Sequence, residues 1–83
     1  MNREDIRSNV ITSLKAIAPE AEPAALAPNA DIRDALDIDS MDFLRFVVSL
    51  HERLQVDIPE RDYAKVRTLD ACVSYLEAKL AAR

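Results

Sequence analysis

Apolar residues recur at spacings of three and four in three separate stretches of the chain, and each stretch predicts a helix. Ile6, Val10, Leu14 and Ile17, with Ile11 beside them, form the first stripe, and Asn2 ahead of Glu4 and Asp5 makes a capped start. Pro19 ends that helix. The stretch PEAEPAALAPNAD adds Pro23 and Pro28, which excludes a continuous helix and predicts a long loop whose alanines support at most a short turn. Asp31 to Leu36 predicts another brief helical turn with Ile32 and Leu36 facing inward.

The second long helix begins at Asp39 or Ser40, both good N-cap residues, and runs to Leu54 or Gln55. Phe43, Phe46, Val47, Leu50 and Leu54 form one stripe on it, which a core explains fully. Met41, Leu44 and Val48 form a second stripe on an adjacent face. Two explanations are open for that stripe: burial between other helices, or exposure to a partner. After Val56-Asp57-Ile58, Pro59 opens a short helical turn through Tyr63 from the first helical position. Thr68 caps a final helix bearing Leu69, Cys72, Val73, Leu76 and Leu80, where Cys72 reads as a small buried apolar residue. No segment alternates long enough to argue for a sheet. The expected fold is all-α: an antiparallel bundle of about four helices, three main and one short, with a long first loop, in a single domain spanning residues 1–83. The chain contains no glycine, so helix ends are expected to stop at proline, asparagine or solvent rather than at glycine caps.

Composition narrows the function classes. At 83 residues and 49% hydrophobic composition, the core is modest and a deep enclosed active site is not expected. That favours binding or carrying over catalysis. The 11 Lys and Arg against 15 Asp and Glu give a net charge of -4, which repels nucleic-acid phosphates and anionic lipid and favours basic partners. One cysteine and one histidine supply neither a disulfide nor a structural zinc site. The charged start MNREDIRSN lacks a signal-peptide core, and no apolar run is long enough to span a bilayer. A cytoplasmic protein without membrane attachment is expected.

The segment DIDSMDFL, residues 37 to 44, holds the chemically interesting serine. A hydrolase nucleophile needs a base within hydrogen-bond reach. His51 lies eleven helical residues from Ser40, roughly 16 Å along the axis at the standard rise, so the two form no dyad. A glycine-flanked nucleophile elbow is excluded without glycine. Asp37, Asp39 and Asp42 lack the spacing, glycine and distal glutamate of a calcium loop. Two readings of Ser40 remain: a helix cap, or an acceptor in a reaction whose base and metal come from another protein. The amides and positive dipole end of a helix start would stabilise an anionic group attached there.

Leu36-Asp37-Ile38-Asp39-Ser40-Met41-Asp42 before an apolar helix, Val56-Asp57-Ile58-Pro59-Glu60 after it, and Arg67-Thr68-Leu69 opening the last helix together resemble the acyl carrier protein family across nearly the whole chain. The resemblance implies that Ser40 carries 4′-phosphopantetheine, transferred from coenzyme A by a separate holo-acyl-carrier-protein synthase, with Asp39 as the motif aspartate and Met41 as the apolar residue after it. It also implies that the following helix is read by acyl-transferring or acyl-modifying enzymes with basic docking patches, through Met41, Leu44 and Val48 and the acidic Asp42 and Glu52. The protein is expected to act as a monomer and to perform no chemistry itself. Three departures from the family pattern point to a specialised fatty-acid, lipid or polyketide carrier. Asp37 stands where glycine is usual, so either the loop is less permissive or Asp37 adopts an unusual backbone conformation. Arg45, His51 and Arg53 occupy helix positions that are often acidic. Phe43 stands where a smaller residue is common, and would fill part of the space that shelters an acyl chain. A peptidyl or aminoacyl carrier and an unmodified helical interaction module are the alternatives; a nucleic-acid binder would need a basic face that the scattered charges do not make.

Overall fold

In the computed structural model, which describes residues 1–82, four α-helices form a bundle: α1 Arg3–Ile17, α2 Ile32–Leu36, α3 Ser40–Leu54 and α4 Leu69–Ala81. Two 3₁₀ segments, Pro23–Ala25 and Glu60–Val66, complete it. Among the described residues the only β pairing is one isolated antiparallel bridge between Asp31 and Thr68.

The three long helices start where the sequence predicts, each with a side-chain oxygen on a free backbone N–H. Asn2 accepts from the Asp5 amide at 2.8 Å, and Thr68 accepts from the Ala71 amide at 3.1 Å. Helix α1 packs against both α3 and α4, and α4 packs against the Glu60–Val66 segment. Their inward stripes meet in one cluster. Ile6, Val10, Leu14, Phe46, Leu50, Val66, Cys72 and Leu76 are all fully shielded from solvent. Burying each such side chain is worth about 1.5–3 kcal/mol, so this cluster is the main source of the fold's stability. Cys72 sits inside it, and burial pushes its thiol up to about 12. It is packing, not reactive sulfur.

One polar contact interrupts the apolar interface between α1 and α3. Ser13, fully buried, accepts a hydrogen bond from the Ser49 hydroxyl at 3.0 Å. On the outer side, Arg3 reaches Asp70 at 2.8 Å and Glu77 at 3.2 Å on α4. Exposed pairs of this kind contribute little each.

The first loop is strapped to the start of α4. The Asp70 amide donates to the Pro28 carbonyl at 2.9 Å, the Ile32 amide donates to the Arg67 carbonyl at 2.7 Å, and Arg67 forms an ion pair with Asp31 at 2.7 Å. Asp31 also caps α2, accepting from the amides of Arg33 at 2.9 Å and Asp34 at 3.2 Å. Its partial burial opposes ionisation, yet these amide bonds and the Arg67 charge together hold its carboxyl below the usual carboxylate range.

Leu36 is half-buried and packs against the core, inward like Ile32 as expected. Two expectations need correction. Pro59 is the N-cap of the following segment rather than its first helical residue, and that segment runs to Val66 instead of stopping at Tyr63, because Val66 anchors it in the core. Two helix ends do not rely on proline, asparagine or solvent: α2 stops at Asp37 (φ 53°, ψ 47°) and α3 at Gln55 (φ 55°, ψ 42°), both left-handed, whereas α1 ends at Ala18 directly before Pro19 as expected. Ile38 N–H then bonds back to the Arg33 carbonyl at 3.0 Å, the six-to-one closure of a Schellman ending. Asp37 thus adopts the unusual conformation that the missing glycine called for.

Candidate functional site at the start of α3

The reversal at Asp37 turns the chain into α3. Ile38 and Phe43, both buried, occupy the two positions that flank a helix start in a hydrophobic staple, so the entry angle is fixed from below. Above them, Asp39 rather than Ser40 is the cap. Its backbone is extended, and its Oδ1 accepts from the Asp42 amide at 2.8 Å. Ser40 is the first residue with helical backbone.

This division of labour decides what Ser40 can do. Its side chain is exposed, and its hydroxyl makes no hydrogen bond to any described residue. The amides of Ser40 and Met41 are the helix's unpaired donors, at the end where aligned peptide dipoles leave a partial positive charge. Next to them lies an open cleft of about 430 Å³, lined by Arg33, Ser40, Met41, Phe43, Leu44, Glu60, Tyr63, Ala64 and Arg67. Arg33 and Arg67 line the same cleft as the serine, with Arg67 already paired to Asp31 and Glu60 adding a carboxylate. A free hydroxyl, two unpaired amides and the Arg33 cation fit an anionic phosphodiester attached at this point.

The second apolar stripe of α3 is exposed, so burial between other helices does not account for it. Met41 is 61%, Leu44 40% and Val48 46% exposed, whereas Phe43, Phe46, Val47, Leu50 and Leu54 are buried. Met41 and Leu44 edge the cleft beside Ser40; Val48 and Glu52 lie further along the helix, away from it. Asp42 is half-buried and faces Arg45 at 3.9 Å, at the outer limit of an ion pair. Arg45, His51, Glu52 and Arg53 are exposed, so the outward face of α3 is mixed in charge rather than acidic. His51 is partly engaged: its Nδ1 lies 2.9 Å from the Val56 carbonyl oxygen, which ties the end of α3 to the segment after Gln55.

The sequence did not point to the far side of the cleft. Arg33, Glu60, Tyr63 and Arg67 come from α2, the 3₁₀ segment and the residue after it, and only tertiary contact places them beside Ser40. The Tyr63 ring stands edge-on to Phe43 with centroids 6.2 Å apart, and Phe43 lies 5.7 Å from Phe46. The segment carrying Tyr63 is held to α4 by Tyr75, whose hydroxyl donates to Asp62 Oδ2 at 2.7 Å. That bond holds the Asp62 carboxyl below the usual range, while burial and the same bond push Tyr75 up to about 12.

A bundle that presents a free serine at a helix start, above a cleft and beside an exposed apolar helix face, has the arrangement of a carrier domain. The family described as a phosphopantetheine attachment site matches residues 9–76, and the chain belongs to it. Within that family the resemblance is to acyl carrier proteins. The chain is 27% identical over 79 residues to an acyl carrier protein of Thermosynechococcus vestitus, covering 92% of this chain and 98% of that protein. It is 30% identical over 78 residues to an acyl carrier protein of Lactobacillus acidophilus, covering 94% and 96%. A solved structure of the acyl carrier protein from Enterococcus faecalis superposes with a TM-score of 0.74 at 26% identity, over 95% of this chain and 99% of that one. The protein is an acyl carrier that holds acyl groups as thioesters on a covalently attached 4′-phosphopantetheine arm. Among the described residues no helix is long and apolar enough to cross a membrane.

Proposed function

We propose that Ser40 is the attachment point of the arm and that the protein does no chemistry beyond presenting it. One observation carries this reading: Asp39 does the capping, which leaves the Ser40 hydroxyl unengaged at the positive end of α3. In the modification, Ser40 Oγ forms a new bond to the pantetheine-side phosphorus of coenzyme A as the pyrophosphate bond breaks. Adenosine 3′,5′-bisphosphate leaves, and the hydroxyl proton passes to a base on the synthase, which also supplies the metal. After transfer, the Ser40 and Met41 amides and the dipole of α3 stabilise the phosphodiester, and Arg33 adds positive charge from across the cleft. Tethering then raises the concentration of the cargo at each docked active site.

The exposed face of α3 is the surface we assign to partner enzymes. Met41, Leu44 and Val48 supply apolar contact, and Asp42 and Glu52 the acidic points that meet basic patches. Arg45 and Arg53 on the same exposed helix weaken docking to uniformly basic surfaces, which favours partners outside general fatty acid synthesis. A relative 31% identical over 74 residues, covering 86% of this chain, is the meromycolate extension acyl carrier protein of Mycolicibacterium aurum, so specialised carriers exist at this level of similarity. The test is the intact mass of the protein after incubation with coenzyme A, magnesium and a broad-specificity holo-synthase, beside Ser40→Ala. A gain of one phosphopantetheine in the wild type alone is expected. No gain, with the synthase active on another carrier, would reduce Ser40 to a surface residue.

A further inference from the structure

The cleft beside Ser40 is shallow for a definite reason. Its inner wall is made by Phe43, 4% exposed, and Tyr63, and the two rings meet edge to face. Phe46, fully buried, packs against Phe43 from the core side at 5.7 Å between centroids, so the cleft meets packed aromatic rings on its way inward. For an alkyl chain to enter, the Phe43 and Tyr63 rings would have to separate, and Tyr63 sits on a segment with two restraints. Val66 anchors it in the core, and the residue next to Tyr63, Asp62, takes the 2.7 Å hydrogen bond from Tyr75 and a 3.5 Å contact from Lys65. Moving the wall therefore breaks an aromatic contact and strains a hydrogen-bonded tether at the same time.

Resting on the assignment of Ser40 as the attachment point, we infer that cargo on this carrier stays in the surface cleft, with Phe43 and Tyr63 forming a pinned wall that keeps long alkyl chains out of the core. The acyl groups it suits are short or polar ones that gain nothing from burial; Phe43 is the residue that sets the limit, and Tyr75 a positioning residue acting through Asp62.

The experiment loads the full chain from acetyl- and decanoyl-coenzyme A with a holo-synthase, confirms each product by intact mass, and compares the melting temperature of each acylated form with its own unacylated holo form. A chain that folds around its cargo is stabilised by it, as by any ligand bound to the native state alone. For the wild type, decanoyl loading is expected to move the melting temperature by no more than about 2 °C, the same as acetyl, less than a 1 kcal/mol effect would give in a domain of this size. In Phe43→Ala the decanoyl form is expected to melt about 4 °C or more above its holo form, because the chain fills the space the ring leaves. Phe43→Val is the milder version should the alanine variant fold poorly, and adding Tyr75→Phe to it is expected to enlarge the gain. If decanoyl loading raises the wild type as much as Phe43→Val, or raises neither, the inference is wrong while the carrier assignment stands. Absence of loading in the wild type would overturn the Ser40 assignment and this inference with it.

Discussion

Replacing Asp39 and Ser40 one at a time separates the two uses of a helix start. In Asp39→Ala the Asp42 amide loses its 2.8 Å acceptor, and the carboxylate that faces the positive end of α3 is removed. The lost cap costs about 1 kcal/mol, and the lost charge adds about 0.3–1 kcal/mol. A domain of this length shifts by about 4–8 °C per kcal/mol, so a fall of at least about 4 °C is expected. Ser40→Ala removes a hydroxyl with no partner among the described residues, from an exposed position where alanine is the better helix former. Its expected effect is within about 0.5 kcal/mol of zero. Thermal and urea unfolding of the unmodified proteins, followed by circular dichroism, give both numbers. If Ser40→Ala fell as far as Asp39→Ala, Ser40 would be doing the capping and its hydroxyl would not be free for transfer.

Gln55→Gly relieves a left-handed residue that carries a side chain, and is expected to raise stability by about 1 kcal/mol in the same unfolding assay, with Asp37→Gly giving less because aspartate tolerates that conformation. Asp31→Ala removes the α2 cap and the Arg67 ion pair together, and is expected to cost about 1–2 kcal/mol. Tyr75 has its pKa raised on folding, so its contribution is intact below the unfolded value near about 10 and is lost as pH rises toward about 12; a plot of melting temperature against pH should turn down above about 10, and Tyr75→Phe should flatten that arm. Asp31 and Asp62 have theirs lowered, so their contribution is intact above about 3.9 and is lost as pH falls below it; Asp31→Asn should soften the acid limb of the same plot. Leu44→Lys should leave the melting temperature within about 4 °C of wild type yet weaken docking of an acyl-handling partner measured on the holo protein.

What the sequence carried best was helical period. The stripes on α1, α3 and α4 are long and regular, and the caps at Asn2, Asp39 or Ser40, and Thr68 lie just ahead of them. Which of two adjacent capping residues does the work is not a matter of type, since aspartate and serine serve equally well; the extended backbone of Asp39 decides it. Gln55 as a left-handed stop had no signal at all, because glutamine is not selected for that conformation; the His51 carbonyl, accepting its backbone amide at 2.8 Å, and the Glu52 carbonyl, accepting from its side-chain amide at 2.9 Å, hold it there. The site divides the same way. Ser40, Met41 and Leu44 are neighbours along one helix and could be read together, whereas Arg33, Tyr63 and Arg67 reach the cleft through the Asp31–Arg67 strap and the Tyr75 tether, which are contacts between distant parts of the chain.

The Ser13–Ser49 contact has a bearing on α3 as a whole. That helix offers two apolar faces roughly a third of a turn apart, and hydrophobicity alone does not say which of them belongs inside. A rotation that buried Met41, Leu44 and Val48 would carry Ser49 away from Ser13 and break the hydrogen bond between them inside that interface. The serine pair thus acts as a tie-break between two orientations of the same helix: by penalising the other rotation it keeps the second apolar face at the surface.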